Sequence, residues 1–154
     1  MSYLEKRGVT AIIDDITPTS LESKTRSFWI TMLPAYFPDT DYSIEAEPYL
    51  ENKTGVANGD LLFIESKRAN VDKPSVWEET ERGQLLNHVK ANRNANDCAY
   101  GAIAIGRKVK FYFYNGKELL FLYGPYSIEV RSDAEAIVKV FDEIKTHPRT
   151  GYTN

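Results

Sequence analysis

Leu61-Leu62-Phe63-Ile64-Glu65-Ser66-Lys67-Arg68 is the stretch on which the reading of this chain turns. Its first half is a short continuous apolar run, the pattern of a strand covered on both faces. It passes without a break into a carboxylate and an ammonium. Residues two apart in a strand share a face, so Glu65 and Lys67 point the same way. Burying such a pair at the end of a covered strand is costly unless the two groups pair or bind something. A divalent cation with a phosphate would give both a purpose. The carboxylate would hold Mg²⁺ through oxygen. The lysine would orient or help deprotonate an attacking water, or offset charge in the transition state.

Upstream of this strand, Tyr42 to Leu50 alternates loosely and predicts another strand. Glu51-Asn52-Lys53-Thr54-Gly55 and Asn58-Gly59 carry turn chemistry. Earlier still, Thr19 and Glu22 stand at capping-box spacing. Leu21, Thr25, Phe28, Trp29 and Met32 follow at helical spacing, and Pro34 stops the helix. Residues 1–18 yield no clear element. Ile12-Ile13 lies between Gly8 and Asp14-Asp15 there, and Pro18 ends the segment.

Downstream, Pro74-Ser75 opens a helix that runs to about Asn92, and Asn94-Ala95-Asn96-Asp97 is a loop. Gly101 to Ile105 and Val109 to Tyr114 predict strands joined through Gly106-Arg107-Lys108. Asn115-Gly116 is a hairpin signal before Leu119 to Tyr123. Ser132 and Glu135 form a second capping box, opening a last helix to about Thr146. The order is then about α-β-β-α-β-β-β-α. This is an α/β chain of the α+β type, with a central mixed sheet flanked by helices.

At 154 residues the chain is one domain, 1–154. That length buries enough surface to need no disulfide or structural metal. Cys98 is the single cysteine, which excludes a disulfide framework and a Cys₄ or Cys₂His₂ zinc site. The start, Met1-Ser2-Tyr3-Leu4-Glu5-Lys6-Arg7, lacks the apolar run of a signal peptide. No stretch approaches a membrane span. The expectation is an intracellular protein, in cytoplasm or nucleus, with no membrane partner. The net charge of −3 runs mildly against a nucleic-acid binder. Yet Lys67, Arg68, Lys73, Lys90, Arg93, Arg107, Lys108 and Lys110 gather mid-chain, which leaves room for a basic face.

An E-x-K triplet alone is common, and a solvated strand end with a salt bridge explains it equally well. The context adds to it. An apolar strand leads into Glu65-Ser66-Lys67-Arg68. A helix with Trp77 and Gln84-Leu85 comes next, then Ala104-Ile105-Gly106-Arg107-Lys108-Val109-Lys110-Phe111-Tyr112. Over about residues 42–114 this resembles the PD-(D/E)XK nuclease-like superfamily, in particular its fungal nuclease-like domains.

The resemblance implies a restriction-endonuclease-like core and a nuclease that hydrolyses phosphodiester bonds with Mg²⁺ or Mn²⁺. It implies that Glu65 and an upstream acid hold the metal, that Lys67 assists the water and that Gln84 supports the site. No Pro-Asp stands at the expected strand, and here the chain departs from the pattern. Glu47, followed by Pro48, ranks first for the missing acid. Asp60 ranks second, since an unbroken strand turns it away from Glu65 unless a bulge near Gly59 intervenes. Glu45, on the face of Glu47, ranks third. Pro38-Asp39 matches in letters but reads as a turn. Glu22 would add a ligand in some relatives, although helix capping accounts for it as well.

Trp77, Glu81, Gln84 and His88 fall on one face of the following helix, beside a core stripe of Leu85, Leu86 and Val89. Such a polar stripe would border a cleft, or be an ordinary solvated face. Arg68, His88, Arg107, Lys108 and Lys110 are the candidate substrate contacts, through phosphate. Charged turns account for the hairpin residues equally. Tyr100, Tyr112, Tyr114, Tyr123 and Tyr126 read as structural before they read as base-stacking. Nucleic acid is the expected partner of the leading reading, and relatives implied by the resemblance include homodimers. The alternative is a nuclease-derived binding module or effector without catalysis, acting through a protein or nucleic-acid partner. An unrelated small α/β enzyme finds no Gly-rich phosphate loop, G-x-S-x-G elbow or His pair here.

Overall fold

The computed structural model describes residues 2–38, 41–44, 49–52, 59–92 and 98–147, with 49–52, 59 and 60 as backbone alone. Strand alternation sets its layers. In β3 (Gly59–Lys67), Leu62, Ile64 and Ser66 are buried on one face, and Phe63, Glu65 and Lys67 alternate with them. Both faces are covered, as the apolar run predicts.

The sheet has six strands, ordered as in sequence: β1 (Tyr42–Ile44), β2 (Tyr49–Asn52), β3, β4 (Ala99–Ile105), β5 (Lys108–Tyr114) and β6 (Leu119–Ser127). β3 and β4 are parallel and all other neighbours antiparallel. A parallel pair needs a crossover, and the helical run 74–90 supplies it. That run is α3 (Pro74–Thr80), a π-helical turn (Glu81–Leu85) and α4 (Leu86–Lys90).

Helices lie on both faces. α1 (Arg7–Asp14), α2 (Glu22–Met32) and α5 (Arg131–Thr146) share one core with Leu62, Ile64, Ala102, Ala104 and Phe111. Phe28, Trp29, Met32, Ile137, Phe141 and Ile144 are fully buried there. Each such side chain contributes roughly 1.5–3 kcal/mol of burial. The second core is smaller. Trp77, Leu85 and Val89 pack on Ile103, Ile105 and Tyr112. Gly101 lets this helix approach closely, since a Cβ there would lie 2.8 Å from Leu85 Cδ1.

The α+β class, the mixed sheet and the flanking helices agree with the expectation. The element order differs. It is α-α-β-β-β-α-β-β-β-α, not α-β-β-α-β-β-β-α. Residues 7–14 form a helix because Val9 and Ile13, one turn apart, bury against the first core. Tyr42 to Leu50 is not one strand: β1 and β2 pair antiparallel. Between them Pro48 brings no N–H to a ladder. Neither capping box forms. α2 is capped by Leu21, and the Thr19 hydroxyl meets that of Thr17 at 3.2 Å. α5 starts after Val130, which places Ser132 inside the helix. Asp133 instead accepts from Ser127 N at 2.8 Å. The helix after Pro74 ends at Lys90 rather than Asn92.

β3 also carries an irregularity. Leu50 faces Leu62 but Glu51 faces Asp60, so Leu61 is the extra residue of a bulge. Leu61 and Leu62 both join the first core. Counted through the bulge, position 60 falls in register phase with 63, 65 and 67.

The β4–β5 turn pins the end of β3. Gly106 N donates to Lys67 O at 3.1 Å. Gly106 has φ +59°, and a Cβ there would lie 2.6 Å from Ala69 Cβ and 2.8 Å from Ala69 Cα. Left-handed strain and backbone overlap act together, so Gly106→Ala is expected to lower stability by about 3 kcal/mol. Urea denaturation beside wild type checks this, and an unchanged midpoint would contradict it.

Candidate functional site

The polar face of β3 meets the polar stripe of the helical run. Glu65 and Lys67 are neighbours on that face, each met by a different turn of the run. The Lys67 ammonium donates to Gln84 Oε1. The His88 Nδ1 lies against Glu65 Oε1. The His88 ring also stacks on Phe63, with centroids 6.2 Å apart and planes at 26°. The Glu65 side chain is 13% exposed and that of His88 46%, so a mostly buried carboxylate has a solvent-facing partner. The Lys67 carbonyl accepts from Thr25 Oγ1 at 3.1 Å as well as from Gly106 N. The strand end is therefore held from both sides of the sheet.

Gln84 lies in the π-helical turn Glu81–Leu85. Such turns are rare inside α-helices and recur at functional sites. They add a residue per turn and shift the phase of the helix beyond them. Leu85 and Val89 still reach the core while Gln84 and His88 reach β3.

The same stripe continues to β5. Register sets Lys110 across from Ile103 and thus in line with Glu65, and Tyr112 across from Gly101 in line with Phe63. The Tyr112 hydroxyl donates to Glu81 Oε1. Burial first, then the Glu81 carboxylate, pushes the Tyr112 phenol far above its ordinary value. Lys110 Nζ sits 4.7 Å from the Trp77 ring centroid. Trp77 Nε1 donates to Asp72 Oδ1 at 2.7 Å, and Lys108 Nζ pairs with Asp72 Oδ2 at 2.9 Å. Burial alone would raise the Asp72 carboxyl. The bonds from Trp77 and Lys108, with the Lys108 and Lys110 charges, carry it below its ordinary value. Trp77, Glu81, Asp72, Lys108 and Lys110 line a cleft of about 470 Å³, so the first half of the stripe does border one.

The predicted site residues fall into groups. Glu65, Lys67, Gln84 and His88 come together. Lys108 and Lys110 stand on the same sheet face two strands away, engaged with Asp72 and Trp77. Arg107 lies apart from both, donating through Nε to Ile16 O at 2.8 Å. Arg68 is exposed beyond the end of β3. Glu22 starts α2 on the opposite layer and pairs with Arg26 at 2.9 Å. Glu45, Glu47 and Asp39 lie outside the described residues, as does the Asp60 side chain. The bulge near Gly59 invoked for Asp60 is present, with Leu61 as its extra residue.

The pairing of His88 with Glu65 and the Asp72–Trp77–Lys108 group were not anticipated. The spacing 63/65/67 on the strand against 77/81/84/88 on the helix was the signal for the first; nothing in the spacing pointed to Asp72. Among the described residues no group of three His, Cys, Asp or Glu converges on a metal position. Mg²⁺ keeps several waters and needs only one or two protein carboxylates. Glu65 is the carboxylate on this face among the described side chains, and position 60, though in phase, lies beyond Phe63 along the strand. A comparison with family models, curated proteins and solved structures finds no match to this chain.

The Asp72 group generates a pH test. A carboxyl held below its ordinary 3.8 adds stability that is present above that pH and is lost as pH falls through the lowered value. Asp72→Asn is expected to cost about 1 kcal/mol at pH 7, discounted for partial exposure. Urea midpoints should show that deficit closing below about pH 4. A deficit independent of pH would contradict the charge-based origin.

Proposed function

We propose that this chain is a nuclease-like domain of the PD-(D/E)XK kind, hydrolysing phosphodiester bonds with Mg²⁺ or Mn²⁺. The observation that carries the reading is the Glu65, Lys67 and Gln84 constellation. A covered strand ends in a carboxylate and an ammonium on one face, and a helical glutamine holds that ammonium. Of three residues chosen by resemblance, Lys67 and Gln84 are in contact across two elements, and Glu65 stands next to Lys67 on the same strand face. The Glu65 carboxylate is mostly buried and partnered by His88, whereas the bond between Lys67 and Gln84 is open to solvent, where a substrate phosphate can reach it.

In this reading Glu65 and an upstream acid, Glu47 or Asp60, hold the cation. When bound, the cation supplies Lewis-acid polarisation of the scissile phosphate. Lys67 orients the attacking water and offsets negative charge as it develops. Gln84 acts through Lys67: its carbonyl oxygen fixes where the ammonium sits without taking its charge. Arg68, on the exposed side, contacts phosphate along the strand. Arg107, Lys108 and Lys110 are already engaged, so their phosphate contacts require leaving present partners.

One observation favours the second reading, a binding module without catalysis. The described side chains supply a single carboxylate to the β3 face near Lys67, and no group of three ligands converges among them. That module would use the same face to hold a nucleic-acid or protein partner.

Purified protein with Mg²⁺ or Mn²⁺ should cut at least one of single-stranded or double-stranded DNA or RNA. Glu65→Ala and Lys67→Ala are each expected to lower the rate by about 100-fold or more. Gln84→Ala is expected to lower it by about tenfold, through a displaced ammonium. A folded wild type that cuts none of the four substrates would remove the catalytic reading and leave the binding module.

A further inference from the structure

We propose that His88 ligates, through Nδ1, the same divalent cation that Glu65 holds, so that the site favours Mn²⁺ over Mg²⁺. This inference rests on the reading of Glu65 as a cation ligand.

Nδ1 of His88 and Oε1 of Glu65 are the two atoms in contact, so a nitrogen donor and an oxygen donor converge on one point. They arrive from different elements, and each is held in place. Glu65 stands on a strand whose neighbours Ile64 and Ser66 are buried, and His88 stacks on Phe63 beside the buried Val89. Exposure of nearly half the His88 side chain gives a cation access from solvent. The cation would sit between the two atoms, which must part slightly to admit it, with the ring's proton carried on Nε2.

Metal choice depends on donor type. Mg²⁺ takes oxygen, whereas imidazole nitrogen suits first-row transition ions. A site of carboxylate alone would leave Mg²⁺ and Mn²⁺ more evenly matched. Adding one imidazole tilts it toward Mn²⁺. The helical run then serves Lys67 and Glu65 separately: Gln84 positions the Lys67 ammonium, and one turn later His88 joins Glu65 as a ligand of the cation.

The test is pulsed electron paramagnetic resonance on the untagged protein loaded with substoichiometric Mn²⁺, comparing wild type, His88→Gln and Glu65→Gln. Wild type is expected to show ¹⁴N modulation from a directly bound imidazole, and His88→Gln to lose it. Titration of free Mn²⁺ should show His88→Gln weakening Mn²⁺ about tenfold or more. Mg²⁺, measured by competition, should shift less than about twofold. A Mn²⁺ site that Glu65→Gln removes but that shows no ¹⁴N modulation overturns this inference and leaves the reading of Glu65 standing. Modulation that persists in His88→Gln also overturns it. Absence of any Mn²⁺ site sensitive to Glu65→Gln overturns both.

Discussion

Strand β3 must be covered on both faces while carrying a carboxylate and an ammonium on one of them, and the rest of the molecule is arranged around that requirement. Its Leu62 and Ile64 face supports the larger core, built by α1, α2 and α5. Its Phe63, Glu65 and Lys67 face cannot be closed with apolar side chains alone. Desolvating two opposite charges is costly unless each gains a partner. The helical run supplies polar partners at Gln84 and His88 and apolar ones at Leu85 and Val89 from adjacent positions. The π-helical turn is where these two demands meet, because it re-phases the helix between Glu81 and Leu85. Gly101 and Gly106 serve the same end by letting the helix and the turn at Ala69 come close.

Much of this was legible from residue spacing. Continuous apolar runs marked β3 and β4, and the alternation of Glu65 and Lys67 placed them on one face. Helical spacing put Trp77, Glu81, Gln84 and His88 on a common stripe. The features that stayed hidden depended on contacts distant in sequence. α1 is short, and its two buried residues gain meaning only against Phe28 and the sheet. The apparent capping boxes failed because Thr19 bonds within its own turn and α5 begins at Arg131 rather than after Ser132. Spacing alone counts such pairs without knowing where the helix starts. The sequence left room near Gly59 for the bulge that reverses the phase of Asp60, but its place at Leu61 was hidden because Leu61-Leu62 looks like an uninterrupted run.

The basic residues show most plainly how far composition carries. Arg107, Lys108 and Lys110 are clustered in sequence and looked like a phosphate-binding edge. In the fold Arg107 braces the backbone at Ile16, Lys108 neutralises Asp72, and Lys110 lies over Trp77. Each has a partner within the protein, although only Lys108 meets a carboxylate. The distinctive chemistry lies instead at Glu65, Lys67, Gln84 and His88, where a buried strand presents charge to a helix that does not fully seal it from solvent.

The central claim is that this junction binds a divalent cation at Glu65. Anomalous diffraction from crystals soaked in Mn²⁺ tests it most directly. The account predicts an anomalous peak at bonding distance from the Glu65 carboxylate, absent from Glu65→Gln crystals grown and soaked alike. Well-diffracting wild-type crystals with no peak there, or with Mn²⁺ only at sites away from β3, would contradict it.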